Sequence, residues 1–396
     1  MVFDIAIVGA GPAGSAAAIE ASRRGMTVAL VDRTSFPRDK TCGDGLTTNA
    51  LRLIQDLGIE AKTLAADSDF GYRSVRDITL RSPSGRQVEL TLPPRGDFAA
   101  IISRRVLDAK MFCAARHLAT FTRDDFQVDS IERHTDHISL RSGQDSIAAR
   151  WVVAADGHFS TVRKLTSAVH RPDLGEWHAV RQYHENVNAT RLHVLFEPDL
   201  LPGYAWVFPL PNGHANVGFG VLRKQGRTGK ELKALWPVLL ERPSVRSALG
   251  PNARPVESVR AWPIPTRYEP DRMAGDRILF AGDAAGVVDP MTGEGIAQAI
   301  ETGMLAARAI AGGGNIESRY RQAVHDAIGR DLRFAAMLSK IMERTLFARA
   351  ALRTIDTNNW TRSQFGRWMF EDYPRAALFT PNRWHLMASR PGTIPA

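Results

Sequence analysis

The two cysteines of this 396-residue chain have different surroundings, and one lies in a segment suited to chemistry. Cys42 stands in PRDKTCGDGL, residues 37–46, between charged residues and glycines. A cysteine that only fills space in a protein interior usually has apolar neighbours. A thiol with an ordinary pKa of about 8.5 is mostly protonated at neutral pH and can give up a proton. Cys42 is therefore a candidate proton donor. The alternative interpretation is that Cys42 is a small buried residue that only fills space.

The chain begins with the order strand, glycine loop, helix, strand and acid. A G-x-G-x-x-G pattern follows the apolar run DIAIVG, and Asp32 ends a second run, TVALVDR. Such glycines allow a tight turn, close approach of a pyrophosphate and close packing of the helix, whose first N–H groups favour the diphosphate. A purely structural glycine turn would leave the acid, which suits a ribose, unexplained. The predicted dinucleotide site comprises Gly9, Gly11, Pro12, Ala13, Gly14, Asp32 and Arg33.

Three further segments bear on whether the dinucleotide is NAD or FAD, which the first segment leaves open. ISRRVLDAKMFCAA places Arg104 four residues before Asp108, and WVVAADGHFSTVRKL is an apolar strand that ends at Asp156 and Gly157. DRILFAGDAAGVVDPMTGEGIAQAIETG contains a strand, a Gly-Asp pair and a helix preceded by glycines. All four segments together resemble the FAD-dependent family that includes p-hydroxybenzoate hydroxylase-like monooxygenases and geranylgeranyl reductases. The resemblance covers about residues 1–315.

The resemblance implies FAD as the cofactor and assigns roles within its site. Asp283 would hydrogen-bond the ribityl chain, and Arg104, otherwise expected on a helix surface, would reach the phosphate or ribityl region. The helix that begins near Gly293 would point its N-terminus at the flavin edge that becomes anionic on reduction. The further FAD contacts that the resemblance implies are Cys42, Gly43, Asp156, Gly157, Gly282, Pro290, Gly295 and Ile296.

The segment around Cys42 indicates a branch of this family. FPRDKTCGDGLT resembles the P-x-x-K-x-C-G-x-G stretch of geranylgeranyl reductases, and PGYAWVFPLPNGHANVGFGV, residues 202–221, resembles the same branch. The likeness is nearest to menaquinone reductases and digeranylgeranyl-lipid reductases, whereas the chlorophyll branch tends to have glycine at the position of Asp44. The resemblance implies a reductase that saturates C=C bonds of a prenyl chain on a lipid, diphosphate or quinone, with hydride from reduced FAD.

Reduction of an isolated alkene depends on positioning and on a proton, because no carbonyl polarises the double bond. The resemblance therefore implies an apolar tunnel beside the flavin, where Cys42 would tune the flavin, contact the alkene or assist protonation. Tyr204 is the second candidate for proton transfer, since it carries a phenol. Alternation in YAWVFP places aromatic residues on one strand face, as a tunnel wall or as ordinary sheet core. The expected substrate contacts are Gly45, Tyr204, Trp206, Phe208 and Phe219.

The charge and the motifs limit the other partners. No second dinucleotide fingerprint is present, so the expected reductant is NAD(P)H bound without a Rossmann site, or another carrier acting as a redox partner. The net charge is +9, yet the basic residues form no nucleic-acid motif. We expect no nucleic-acid partner, and either a solvated Arg-rich surface or attraction to an anionic membrane. The histidines lack metal-like spacing, so no metal site is predicted.

The expected fold class is α/β, with a Rossmann-type FAD-binding domain interleaved with a mixed β-sheet substrate domain and followed by a helical C-terminal segment. No signal peptide and no apolar run of about 18 residues is recognisable. With two cysteines, the expected location is cytoplasmic, either free or peripheral at the inner face of the membrane. The predicted boundaries are 1–70, 100–165 and 268–315 for the FAD domain, 71–99 and 166–267 for the substrate domain, and 316–396 for a helical cap.

The C-terminal segment has two interpretations. RFAAMLSKIMERTLFARAALRTI is amphipathic with basic residues on its polar face. Such a segment either covers the substrate tunnel or lies at a membrane interface where a prenyl lipid enters. The aromatic residues that follow it are Trp360, Phe365, Trp368, Phe370, Tyr373, Phe379 and Trp384.

Two other functions remain open, because a fold does not fix a chemistry. The first is a flavin monooxygenase or halogenase acting on a small aromatic or secondary-metabolite substrate. Halogenases carry W-x-W-x-I-P where this chain has YAWVFP, so the first tryptophan and the isoleucine are absent. The second is a flavin-binding protein that senses redox state or carries electrons without catalysis.

Overall fold

The computed structural model describes residues 1–64, 68–92, 98–166, 175–223 and 229–370. Short 3-10 turns occur between elements, and a π-helical turn, His325–Gly329, joins α8 to α9. The helices are α1 (Pro12–Arg23), α2 (Thr48–Asp56), α3 (Arg104–Leu118), α4 (Thr161–Thr166), α5 (Gly229–Leu240), α6 (Pro243–Leu249), α7 (Ile296–Ala311), α8 (Ile316–Val324), α9 (Arg330–Met342), α10 (Thr345–Ile355) and α11 (Asn359–Phe370). The strands are β1 (Val2–Val8), β2 (Val28–Val31), β3 (Gly45–Thr47), β4 (Arg73–Ser74), β5 (Asp77–Arg81), β6 (Gln87–Thr91), β7 (Ala99–Ile101), β8 (Phe121–Arg123), β9 (Ser130–Arg133), β10 (Ile138–Ser142), β11 (Asp145–Ala154), β12 (Trp177–Glu185), β13 (Leu192–Leu195), β14 (Tyr204–Pro209), β15 (Ala215–Leu222), β16 (Arg254–Pro255), β17 (Arg260–Ile264), β18 (Ala274–Gly275) and β19 (Ile278–Phe280).

The first sheet is the Rossmann-type layer. Its main strand order is β18-β19-β11-β1-β2-β8, with β10 and β9 added beside β11. Strands β19, β11, β1, β2 and β8 run parallel to one another, whereas β18 pairs antiparallel with β19. Parallel strands covered on both faces are near-continuous apolar runs, and all four residues of β2, VALV, are buried. Helix α1 connects β1 to β2 and begins with Pro12, whose fixed φ suits the first helical position. This layer therefore carries the glycine loop at the end of β1.

The second sheet is mixed. Its order is β16-β12-β15-β14-β13-β5-β6, and β17 also pairs with β12. Strands β13 and β5 are parallel, whereas β12, β14 and β15 pair antiparallel. Helices α5 and α6 cover one face, where Trp236 and Leu239 belong to the same apolar core as Ala205 and Val207. The opposite face is left for the cavity.

A small third sheet connects these layers. Strand β3 follows the cysteine segment and pairs with β7, which also pairs with β4. Because β7 leads into α3, the loop that carries Cys42 lies beside the first turn of α3, which carries Arg104. The predicted α/β fold class, with a Rossmann-type sheet, a second mixed sheet and C-terminal helices, is confirmed.

Helices α9, α10 and α11 form the described part of the predicted cap. In the part of the chain that the structure describes, no helix is both long and apolar enough to cross a bilayer. Tyr373, Phe379 and Trp384 of the sequence interpretation lie outside the described residues. The domain boundaries stay a prediction.

Candidate active site

A cavity of about 1250 Å³ is lined by residues of both large sheets and of the C-terminal helices. Ordinary ligand pockets have roughly 300–1,000 Å³, so this cavity has room for a large cofactor together with a substrate. The residues of the predicted site that line it are Gly9, Gly11, Pro12, Ala13, Asp32, Arg33, Cys42, Gly43, Gly45, Arg104, Asp156, Gly157, Tyr204, Trp206, Phe208, Gly282, Asp283, Pro290, Gly293, Gly295 and Ile296.

The glycine loop forms one end of the cavity. A Cβ added at Gly14 would lie 1.7 Å from the carbonyl oxygen of Gly9, so only glycine lets α1 start this close to the turn. Gly14 therefore acts through packing and does not line the cavity itself. No side chain caps the start of α1, which leaves its first N–H groups for an anion. The carboxylate of Asp32 accepts hydrogen bonds from the Ala10 N–H, at 2.7 Å, and from the Thr34 N–H, at 2.9 Å, and so holds the loop.

A buried ion pair stands beside this loop. Arg104 is 5% exposed, and its Nε and Nη2 atoms donate to the two carboxylate oxygens of Asp108 at 2.6 and 2.7 Å. Arg38 contacts the same carboxylate at 3.2 Å. Bidentate pairing fixes the plane of the guanidinium. Arg104 thus lines the cavity as a rigid cation and is not a surface helix residue.

Asp283 lies in the turn after β19 and pairs with a residue that the sequence interpretation did not assign. The Nζ atom of Lys40 is 2.7 Å from Asp283 Oδ2. Burial opposes ionisation of Asp283, but Lys40 and Arg104 outweigh it and lower the pKa of this carboxyl below its ordinary value. Lys40 belongs to the K-x-C-G stretch, so the motif contained a signal for it. Asp283 is therefore an anion within the cavity wall.

The start of α7 forms another part of the cavity wall. Gly295 precedes the helix without a side-chain cap, as at α1. Asp289, which the sequence interpretation missed, accepts hydrogen bonds from the N–H groups of Met291 and Thr292 at 2.9 and 2.8 Å. Two uncapped helix starts that line one cavity fit a cofactor with a diphosphate and with a ring that gains negative charge.

The Asp-Gly pair after β11 has a structural role in the chain itself. One carboxylate oxygen of Asp156 accepts hydrogen bonds from Thr161 and Val162 N–H, at 2.7 and 3.1 Å, and so caps α4. Burial raises the pKa of this carboxyl, although these hydrogen bonds lower it. Gly157 has a φ of +80° and turns the chain along the cavity wall.

The cysteine loop lies between the cofactor end and the second sheet. Cys42 is partly exposed and lines the cavity. Its Sγ accepts a hydrogen bond from the Asp44 N–H at 3.4 Å. Burial raises the pKa of the Cys42 thiol, so the thiol carries its proton at neutral pH. Within the described residues, no group of three or more His, Cys, Asp or Glu side chains has the arrangement of a metal site.

An aromatic wall, defined here as Tyr204, Trp206 and Phe208, faces the cysteine loop. These residues alternate along β14, and neighbouring ring centroids are 6.0 and 5.9 Å apart. The Trp206 ring has space in this wall because the residue opposite it in β15 is Gly218. A Cβ at Gly218 would lie 2.4 Å from the indole ring. The hydroxyl of Tyr204 donates to the carbonyl oxygen of Thr292, which ties the wall to the turn before α7.

Phe219 is not part of this wall, contrary to the sequence prediction. Its ring is fully buried and stacks on Trp236 of α5, with centroids 6.1 Å apart. Phe219 lies opposite Ala205 in the register of β14 and β15, whereas Gly218 lies opposite Trp206. Since side chains alternate between sheet faces, Phe219 faces the core under α5 and not the cavity.

Asp44 is the main residue of the site that sequence reasoning did not assign. It is fully buried, and its Oδ2 accepts hydrogen bonds from the Tyr183 hydroxyl at 2.5 Å and from Asn216 Nδ2 at 2.7 Å. Burial raises the pKa of this carboxyl to about 6. Asp44 stood in the quoted motif, but Tyr183 and Asn216 lie on separate strands and had no signal in the sequence.

Comparisons with known proteins show the family of this chain. Residues 2–313 match the FAD binding domain family. Menaquinone reductase of Mycobacterium tuberculosis is 34% identical over 326 residues, which cover 77% of this chain and 75% of the relative. Digeranylgeranylglycerophospholipid reductase 2 of Methanopyrus kandleri is 28% identical over 363 residues, covering 86% and 87%.

Solved structures share the fold. A geranylgeranyl bacteriochlorophyll reductase-like protein from Thermoplasma acidophilum has a TM-score of 0.77 at 19% identity and covers 96% of this chain and 99% of its own. The flavin-dependent brominase Bmp2 has a TM-score of 0.74 at 18% identity, covering 98% and 100%. At these identities the likeness shows the fold alone. The family match, the relatives and the glycine-lined cavity together show that the chain belongs to the FAD binding domain family, as a geranylgeranyl reductase-like FAD-dependent oxidoreductase.

Proposed function

We propose that this oxidoreductase saturates C=C bonds of a prenyl chain carried by a lipid, a diphosphate or a quinone. The observation that carries the proposal is the aromatic wall beside the cysteine loop, whose Cys42 thiol is protonated, in a cavity larger than one cofactor needs. The names of the menaquinone and digeranylgeranyl-lipid reductases among its relatives support the same class of substrate.

The residues of the chain divide the chemistry between them. Bound FAD, when reduced, supplies a hydride to one alkene carbon. The other alkene carbon takes the proton of the Cys42 thiol, and the thiolate left behind regains a proton from solvent once the product has left. The aromatic wall holds the chain and keeps the site dry, which leaves positioning and proton supply as the chain's contribution. Tyr204 is the second candidate donor, although its hydroxyl proton is directed to Thr292.

The reductant belongs to this proposal as well. NAD(P)H, or a protein that carries electrons, would reduce the flavin in a transient encounter, since the sequence holds a single dinucleotide fingerprint. Anaerobic mixing of the oxidised protein with NADPH, NADH or reduced ferredoxin, followed by loss of the flavin absorbance, identifies the donor. Bleaching by none of the three would exclude these donors.

The C-terminal helices offer a route for a lipid substrate. Trp360 lines the cavity and is 69% exposed, and the neighbouring helices expose Leu346 and Phe347. Residues 330–370 carry eight basic and three acidic side chains. An apolar surface with a basic surround fits the boundary of an anionic bilayer, where each basic residue contributes about 1 kcal/mol. We infer that this surface contacts the membrane from which the prenyl chain enters.

The test of the function is anaerobic. The flavin is reduced with dithionite, and geranylgeranyl diphosphate, a geranylgeranyl lipid or menaquinone is added separately. Flavin reoxidation with a product that holds two additional hydrogens in its prenyl chain, after any quinol has been reoxidised in air, supports the proposal. No such product from any of the three, together with substrate-stimulated oxygen consumption in air, would favour a monooxygenase or halogenase instead.

A halogenase would need a lysine positioned in the cavity. Among the described residues that line it, the lysine is Lys40, and its ammonium group is paired with Asp283 at 2.7 Å. The aromatic wall also lacks the first tryptophan and the isoleucine of the halogenase pattern. Both observations favour the reductase.

A further inference from the structure

A buried carboxylate behind Cys42 joins three separate elements of the fold. Asp44 has a φ of +64°, a left-handed conformation uncommon for a residue other than glycine. Its Oδ1 accepts a hydrogen bond from the N–H of Arg104 at 3.2 Å, while its Oδ2 accepts from Tyr183 and Asn216. Asp44 is the acceptor in all three hydrogen bonds, as an ionised carboxylate must be. Helix α3 and strands β12 and β15 are therefore held to the cysteine loop at one residue.

Asn216 extends this arrangement to the aromatic wall. Its Nδ2 donates both to Asp44 and to the carbonyl oxygen of Cys42, each at 2.7 Å. Its Oδ1 accepts from the indole N–H of Trp206 at 2.9 Å. Asn216 is fully buried, so losing one of these partners would leave a polar group unsatisfied. One amide thus sets the position of Cys42 relative to Trp206.

The charges around Asp44 come from several elements. Arg181 of β12 is fully buried, lies 4.1 Å from the ring centroid of Tyr183 and pairs with Asp39 and Glu257. Arg104 of α3 and Lys40 of the loop face the same region and lower the pKa of the Cys42 thiol, whereas burial, the largest influence, and the charge of Asp44 raise it. The Asp44 carboxylate therefore counters two nearby cations that would otherwise favour a thiolate.

We propose that Asp44 is the positioning residue of this site, which together with Asn216 fixes Cys42 relative to Trp206 and places a carboxylate near the thiol proton. The relevance of that proton to alkene reduction rests on the proposed function. The arrangement of the thiol does not, because it follows from the contacts of the chain itself.

The test measures the reactivity of Cys42 without any prenyl substrate. In the full-length flavoprotein carrying Cys113→Ser, which removes the exposed second thiol, the rate of alkylation by iodoacetamide is followed against pH. Asp44→Asn removes a charge that raises the pKa of the thiol, so it should move the midpoint of this profile to lower pH and make alkylation at pH 8 several-fold faster. Asp145→Asn, at an exposed ion pair with Arg123, is the matched control and should leave the midpoint in place.

A second variant separates charge from packing. Asn216→Leu removes the hydrogen bonds but keeps a side chain of similar size, so Cys42 should alkylate faster at every pH with the same midpoint. The inference is overturned if Asp44→Asn gives an unchanged midpoint, or if Asn216→Leu gives the rates of the Cys113→Ser protein. If both variants behave as expected while no prenyl compound is reduced, the positioning role stands and the proposed function fails.

Discussion

The two ends of the cavity are built in different ways. The glycine-loop part of the cofactor end uses backbone N–H groups and glycines from a contiguous segment, with Asp32 holding the loop. The substrate end uses side chains from distant segments, where Asp44 meets Tyr183 and Asn216. Backbone recognition needs only a local turn, whereas the second arrangement needs the correct register of several strands. Substitutions at the glycine loop should therefore affect FAD binding, whereas substitutions at the substrate end should affect the reaction and leave FAD bound.

The largest effect is expected at the glycine loop. Gly14→Val would place its Cβ 1.7 Å from the Gly9 carbonyl oxygen, so α1 cannot start where it does and bound FAD should be lost almost completely. The ratio of flavin to protein absorbance after purification measures this. Gly275→Ala, where an added Cβ has no atom within 4 Å, is the control. A yellow Gly14→Val protein would show that the loop does not govern cofactor binding.

The second prediction concerns the other end. Cys42→Ser should keep FAD but slow reoxidation of the reduced protein by a prenyl substrate about 10²–10⁴-fold, the usual contribution of a general acid. Stopped-flow absorbance under nitrogen measures the rate. Cys113→Ser is the matched control, since that thiol is exposed on α3. Full turnover by Cys42→Ser would remove the thiol as the proton donor.

The third prediction compares two aspartates with opposite shifts. The pKa of Asp44 rises from 3.8 to about 6 on folding, so its ionisation opposes folding, and this penalty is absent near pH 4 and complete above pH 6. Relative to Asp44→Asn, the wild-type protein should lose about 3 kcal/mol of unfolding free energy over that interval. Urea unfolding at a series of pH values tests this.

Asp283 provides the counterpart to that experiment. Its pKa is lowered by Lys40 and Arg104 despite burial, so it stabilises the fold above its ordinary pKa, and this contribution is lost as the pH falls through its folded value. The difference between wild type and Asp283→Asn should therefore shrink below about pH 4. If the unfolding free energies of the two aspartate variants changed with pH in the same way relative to wild type, the opposite pKa shifts of Asp44 and Asp283 would be contradicted.

The fourth prediction concerns the aromatic wall. Gly218→Ala would bring its Cβ to 2.4 Å from both the Trp206 ring and the Val180 carbonyl oxygen, and overpacking of this kind costs about 1–3 kcal/mol. The apparent affinity for a prenyl substrate should fall while FAD stays bound. Gly220→Ala on the same strand, where the nearest atoms would be 4.0 Å away, should have a smaller effect on substrate affinity and on melting temperature. Equal effects would show that Trp206 does not define the wall.

The smallest effect is expected at the C-terminal helices. Leu346 is 73% exposed, and losing its insertion into a bilayer would cost roughly 1.5 kcal/mol, or about tenfold in partitioning. Leu346→Ser should therefore bind vesicles containing anionic lipid about tenfold less in a sedimentation assay. Leu118→Ser, at a leucine of α3 that is 48% exposed, is the control. If the two variants bound the vesicles equally, the membrane contact would not involve Leu346.

The sequence by itself determined the glycine-loop part of the cofactor end. The glycines, the uncapped helix start and Asp32 follow one another within a single β-α-β unit, so their spacing predicts their geometry. Alternation along YAWVFP likewise predicted one aromatic face, because side-chain direction in a strand has period two.

Only the tertiary structure decided which partners meet at the substrate end. Phe219 was assigned to the wrong face because neither strand alone determines the register between β14 and β15. That register puts Gly218, and not Phe219, opposite Trp206. Asp44 was visible in its loop, but its role depends on Tyr183 and Asn216, which are 139 and 172 residues away. A local pattern fixes local backbone geometry, whereas long-range hydrogen bonds exist only once the sheets have formed and packed.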